Sequence, residues 1–253
     1  MVRSGMTNSR SFFLGKIPLA PFIKGVFNGK MVDMKKELCF IFVFCLLAGF
    51  FLATPAQAHQ PRIVSDSRLT LIKNPEVSQA FYGELKGSSA NYLLELKQAG
   101  DLYLQILVPD LPGIQKDKTA GVEYLPELGE GAVNFAQLDL PVEQWKKYFE
   151  EYAGDNYFKG PELKKPAEPG YYLVKISSPD NQGKYILVVG EKEEFPAREA
   201  VKAAITIPML KKDFFQQPVT QWFNGKIGRY VGLGLIGLLV LGLMFRQFNK
   251  VYK

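Results

Sequence analysis

Cysteine and histidine are almost missing from this chain of 253 residues, which holds two of the first and one of the second. Two cysteines exclude a scaffold held together by disulfides. A single histidine, His59, excludes a multi-histidine metal site and leaves no second imidazole for acid–base chemistry. Phosphate-cradling glycine loops, nucleophile elbows and paired-cysteine motifs are also missing. The sequence therefore assigns no catalytic, cofactor-binding or metal-ligating residue, and no cofactor is expected.

Charge is present, but not where a nucleic-acid partner needs it. The formal net charge is +6. Residues 1–58 carry seven basic and two acidic side chains, and Lys226, Arg229, Arg246, Lys250 and Lys253 flank the last apolar run. What remains, residues 59–225, has 19 basic and 23 acidic side chains, so the folded part is mildly acidic. A phosphate-binding domain concentrates cations on its folded surface instead, and nucleic acid is excluded as a partner.

Two long apolar runs account for the basic ends. Met34-Lys35-Lys36 precedes Leu38–Ala53, and Thr54-Pro55-Ala56-Gln57-Ala58 follows. A charged start, an apolar middle and a small-residue site are the parts of a secretory signal peptide, so residues 34–58 are expected to be removed after Ala58. Met34 is read as the start and residues 1–33 as a mis-called extension. The second run, residues 227–245, is long and uniform enough to cross a bilayer core of about 30 Å. The bias of basic residues toward the inside puts tail 246–253 in the cytoplasm and residues 59–225 outside, periplasmic or at the cell surface. Trp222, Phe223, Tyr230 and Arg246 are the expected interfacial anchors, and Gly228 and Gly232 form a small-xxx-small spacing suited to helix–helix association.

Residues 59–196 alternate with a period of two, the signature of strands. Leu102, Leu104, Ile106 and Val108 share one face, and Tyr92, Leu94 and Leu96 another. With Ala99-Gly100-Asp101 between them, Asn91–Val108 reads as a hairpin. Tyr171–Ser177 and Lys184–Val189, joined through Pro179, Asn181 and Gly183, read as a second. Eight or nine short strands predict a mainly β fold, an antiparallel β-sandwich of jelly-roll-like type. One stretch departs from the period. In Pro141–Gly160, Val142, Trp145, Phe149 and Tyr152 have helical spacing, which predicts a short amphipathic helix ending at Gly154. Trp145, Tyr148, Tyr152, Tyr157 and Phe158 are the candidate partner-binding residues, an aromatic platform for sugars or peptide side chains.

The stretches Ser78–Gly87, Tyr103–Gly113 and Leu187–Pro196 resemble a group of uncharacterised, membrane-anchored bacterial proteins. Gly170, Tyr172, Val174, Ser177, Gly183, Tyr185, Leu187 and Val189 match the late strand pair of bacterial pre-peptidase C-terminal domains. The outer domain is similar to those domains and, more distantly, to Golgi-dynamics (GOLD) domains. That resemblance implies a β-sandwich binding module and carries over no catalytic residue.

Residues 197–226 change character again. Ala200, Val201, Ala204 and Ile205 fall at helical spacing before Pro208, expected to break the helix, so this linker is either a plain tether or an amphipathic segment lying on headgroups. The function expected is a non-catalytic, membrane-anchored module presenting a surface to a protein, peptide or glycan partner in the envelope. The alternative is a carboxylate-based hydrolase acting on envelope polymers, although no pair stands out among Glu84, Glu95, Glu150, Glu151 and Asp155.

Overall fold

A computed structural model describes residues 59–65, 69–129 and 131–251. The expected signal peptide, the extension before it and the last two residues of the tail lie outside the described residues. Among the described residues, those from 59 to 239 make one compact unit, and those from 240 to 251 belong to another.

Eleven strands are described: β1 Gln60–Ile63, β2 Thr70–Ile72, β3 Gln79–Lys86, β4 Ala90–Leu96, β5 Gly100–Pro109, β6 Thr119–Leu125, β7 Val133–Leu138, β8 Lys146–Glu150, β9 Asp155–Ala167, β10 Gly170–Ser177 and β11 Gln182–Val189. They form two sheets, one of six strands in the order β1-β3-β11-β5-β9-β8 and one of five in the order β2-β4-β10-β6-β7. Only β1 and β2 pair parallel with their neighbours. Between the sheets lies one core of alternating inward residues, among them Phe81, Tyr92, Leu94, Leu104, Ile106, Val122, Tyr172, Val174, Tyr185 and Leu187. Burial of these apolar faces is what holds the two layers together.

Both expected hairpins are corrected by this topology. β4 and β5 belong to different sheets, and so do β10 and β11. The strands fall where the alternation puts them, but each connection carries the chain from one sheet across to the other. In a hairpin, the apolar faces of both strands would point the same way and need a separate lid. An arch lets Tyr92 and Leu94 meet Leu104 and Ile106 across the core. The turn residues behave as expected within the second arch, where Gly183 has φ +93° and Asp180 accepts hydrogen bonds from the Gln182 amide and the Ser178 hydroxyl.

The helix expected over Pro141–Gly160 is also corrected. A single short turn, Val142–Gln144, leads into β8, which pairs antiparallel with the start of β9. Backbone pairing to an available strand outweighs a weak local helical pattern. Gly154 does not stop a helix; it supplies φ +75° in the β8–β9 turn. Beyond Lys159, β9 leaves β8 and pairs with β5; Pro166 sits on an exposed ladder edge there, whereas Pro161 is buried at the register shift opposite Gln105–Leu107.

After the strands come α1, Ala197–Met209, and α2, Lys226–Val251. Pro208 lies inside α1, near enough to its end to cost little, and the chain runs on as one wide helical turn, Leu210–Phe214. This segment is not a tether. Leu210 and Phe215 are buried on the outer face of the six-stranded sheet against Ala80, Tyr82, Leu107, Tyr157, Ile186 and Val188. Ala203 and Ile207 of α1 pack with Ala153 of the β8–β9 turn and with Ile227 of α2, and Val231 joins them.

Candidate functional site

Two surfaces of the described residues have the chemistry and shape of functional regions. One is the junction where the segment before α2 is clamped to the sandwich; the other is the open face of the five-stranded sheet.

The junction is built on the β8–β9 turn. Lys211, fully buried, donates to the Gly154 carbonyl at 3.0 Å and to Asp155 Oδ1 at 2.5 Å, and its ammonium lies 5.8 Å from the Phe215 ring centre. Glu150 pairs in register with Asp155, and its two carboxylate oxygens accept from the amides of Tyr152 and Ala153 at 2.8 and 2.7 Å. Burial raises the Glu150 pKa to about 7, against the lowering effect of those amides and of Lys211. Burial likewise raises that of Asp155, opposed by Lys211. Above this cluster the Tyr82 and Tyr157 hydroxyls meet at 3.1 Å, and the rings of Tyr82 and Tyr157 pack edge-on against Phe215.

Helix α2 begins within the same junction. The amides of Lys226 and Ile227, which an isolated helix would leave unpaired, donate to the carbonyls of Glu151 and Tyr152 at 2.8 and 3.2 Å. Lys226 also forms an ion pair with Glu151. The backbones meet where both chains have glycine: a Cβ on Gly154 would lie 2.8 Å from the Asn224 carbonyl carbon, and one on Gly225 would lie 2.5 Å from that of Ala153. On the other side Arg62 and Lys202 each reach Glu199 of α1 at 2.9 Å, and these partners outweigh burial to hold its pKa low.

The expected aromatic platform is dispersed by the strand alternation. Trp145 is buried in the inter-sheet core, donating to the Leu140 carbonyl and filling the space left by Gly160. Phe158 is half-buried against the same core with Lys116 and Lys147 over its ring. Tyr157 and Tyr148 belong to the outer cluster, and Tyr152 packs on Phe195 beside α1. The five residues thus occupy three separate clusters and share no face.

The anchor residues divide in the same way. Phe223 and Tyr230 are exposed, as is Arg246. Trp222 instead packs against the α1–α2 contact, its indole N–H buried without a hydrogen-bond partner. A Cβ on Gly228 would meet the Trp222 carbonyl carbon at 2.7 Å, and Gly232 faces the Phe223 ring, so this stripe of small residues is filled by the chain's own side chains and backbone. His59 shares a 2.5 Å hydrogen bond with Ser78 and is kept neutral, burial and then Lys159 lowering its pKa to about 4.

The second surface is the outer face of β2, β4, β10 and β6. Register places Leu71 beside Leu93, Leu93 beside Leu173, and Leu173 beside Glu123. Leu71 is 54% exposed, and Leu93 and Leu173 are half-buried. At the β2 end this row opens on a groove of about 660 Å³ whose walls include Leu71, Asn74, Glu95, Lys97, Asp101 and Lys192. Sequence reasoning placed these strands but not this row, because which outward leucines stand side by side depends on strand order. Of the candidate acids, Glu95 alone lines the groove; Glu150 and Asp155 are turned toward Lys211 and backbone amides.

No protein-family model matches the chain, and no curated protein matches it significantly. Among solved structures it is similar to the pre-peptidase C-terminal domain of a collagenase from Bacillus anthracis, at 14% identity and a TM-score of 0.31 over 50% of this chain and 97% of that one. It is also similar to CorA, a surface-associated copper-binding protein of Methylomicrobium album BG8, at 11% identity and 0.27 over 52% and 100%. A β-glucosidase from Paenibacillus barengoltzii gives 11% identity and 0.20, over 55% of this chain and 14% of the enzyme. The first carries the domain type whose strand pair the sequence resembles. At these scores none of the three says what this chain binds, and the sandwich rests on the strand pairing described above.

Proposed function

We propose that the protein is a non-catalytic binding module, anchored by α2 as a single span and displayed outside the cytoplasm, whose outer five-stranded sheet face docks a protein or peptide partner. The observation that carries the reading is the partly exposed aliphatic row Leu71–Leu93–Leu173, bordered by Glu123 and by the charged groove. Aliphatic side chains in a row, with polar groups at the margin, suit a complementary apolar strip on another polypeptide. Sugar recognition relies more on flat aromatic faces, and the aromatic residue of β10 on this side is Tyr171. Lys226–Leu243, with at most two charged residues, is long and apolar enough to cross a membrane, which supports the anchor.

The test is cross-linking in intact cells followed by detergent extraction of the full chain. Leu93→Asp and Leu173→Asp are expected to lose the recovered partner while leaving the unfolding midpoint nearly unchanged. Recovery of the same partner by both variants would overturn the assignment of this face.

A further inference from the structure

We propose that the outward face of α1 is a membrane-docking surface that lies on anionic lipid headgroups beside the point where α2 enters the bilayer. The inference rests on the reading of α2 as a span.

The helix is amphipathic on two sides. Its inward side, Glu199, Ala203 and Ile207, is buried against the rest of the protein. Its outward side is apolar as well: Val201 and Ile205 are each 63% exposed and Met209 is 48% exposed, at spacings of four that place them in one line. A solvated surface helix normally carries polar residues along such a line. The cations Arg198, Lys202 and Lys212 flank it and are all exposed, while Asp213 is the exposed acid at its end. Arg198 stands one turn before Val201 and Lys202 directly after it, and both are drawn toward Glu199, itself buried at the edge of the inward side. Apolar side chains in a line with cations beside them fit the boundary between acyl chains and anionic headgroups.

Position selects a bilayer over other partners. Ala203 and Ile207 pack with Ile227, and Val231 joins them, so α1 is held against the first turns of the span itself. Those turns lie within the apolar stretch Lys226–Leu243. A helix touching the first turns of a span stands at the level of the headgroups. Phe223 and Tyr230, 47% and 39% exposed, supply aromatic side chains at that level. The helix face that sequence spacing selects, Ala200, Val201, Ala204 and Ile205, is rotated from this one: Ala200 and Ala204 flank the buried side, and Met209 completes the outward line.

The experiment uses the full chain with Cys39 and Cys45 replaced by serine, reconstituted one molecule per nanodisc of phosphatidylcholine and phosphatidylglycerol. An environment-sensitive fluorophore is placed singly by Ile205→Cys, Leu235→Cys or Val133→Cys, and quenching is measured with lipids spin-labelled near the headgroup for 205 and 133 and near the acyl-chain end for 235. Val133 is an exposed residue of β7 and serves as the aqueous control. The proposal expects the label at 205 to be quenched at least about twofold more than that at 133, and less when phosphatidylglycerol is omitted. Quenching at 235 but not at 205 would overturn the docking and leave the span intact. Absence of quenching at both would overturn the span and the docking with it. A blue-shifted but unquenched label at 205 would mean that another part of the chain covers the face, which also overturns the proposal.

Discussion

The two sheets of the sandwich share one core and differ in what lies behind them. The six-stranded sheet is covered on its outer side over its middle strands, where Leu210 and Phe215 pack on Tyr82, Ile186 and Val188. Its central strand β11 accordingly has five consecutive residues, Tyr185 to Val189, almost without solvent contact. The five-stranded sheet alternates instead, with Tyr172, Val174 and Ile176 inside and Tyr171, Leu173 and Lys175 outside. The lesson is structural: one sheet is packed against a later segment of the chain, and the other keeps an uncovered outer face. An unbroken apolar strand marks the former, an alternating strand the latter.

The comparison can be broken most strongly at the buried cation. Lys211→Ala is expected to destabilise the full chain by about 3–5 kcal/mol in thermal unfolding, because Asp155 would be left buried and unpaired. Adding Asp155→Leu should restore most of the loss, and Lys175→Ala on the open sheet should stay within about 0.5 kcal/mol. Recovery of nothing in the double variant would mean that the pair's geometry, not its charge, holds the layer.

Phe215→Ala is the next largest, at about 3 kcal/mol, toward the low end for such truncations because a surface segment relaxes more than a central core. Hydrogen exchange should rise in the Leu210–Phe214 turn and in the β8–β9 turn but not in β4 or β10. Equal loosening of both sheets would erase the distinction between them.

A smaller effect follows from Glu150, whose pKa is raised to about 7 when folded. Below the ordinary carboxylate value both folded and unfolded forms hold the proton and nothing is lost. Between about 4.5 and 7 only the folded form holds it, so stability falls as pH rises across that window and levels off above it. Asp155 shifts in the same direction. Protection factors at the junction, with the intrinsic pH dependence of exchange divided out, should therefore fall from pH 5 to 8, and Glu150→Gln should flatten that dependence.

The smallest change is expected on the open face, where Leu173→Thr should cost under about 1 kcal/mol while weakening partner recovery. A large loss of stability there would show that the face is part of the core.

The sequence made the strands legible because alternation depends on each strand's own two faces: β4, β5, β10 and β11 all fall where the pattern puts them. It did not reveal partners. A three-residue link between β4 and β5 serves a hairpin and an arch equally well, and only the packing of Tyr92 against Phe81 and Tyr185 decides. β9 was hidden by Pro161, Pro166 and its lysines, which read as a loop until β5 is beside them. Trp145 and Tyr157 read as parts of one aromatic surface because they lie close together in the sequence, and strand pairing sends them to different clusters. The buried Lys211 gave no signal at all, since a lysine between Leu210 and Lys212 looks like solvated charge. One usable clue was KYILVVG, an unbroken apolar run that calls for cover on both faces.

The backbone seam between Gly154 and Gly225, with the first α2 amides held by Glu151 and Tyr152, leaves no swivel between helix and sandwich. A torque that turns the early part of α2 about its long axis would therefore pass first to the β8–β9 turn and, through the shared core, to β10 and β4. The aliphatic row would sweep through the same angle, like a vane fixed to its shaft.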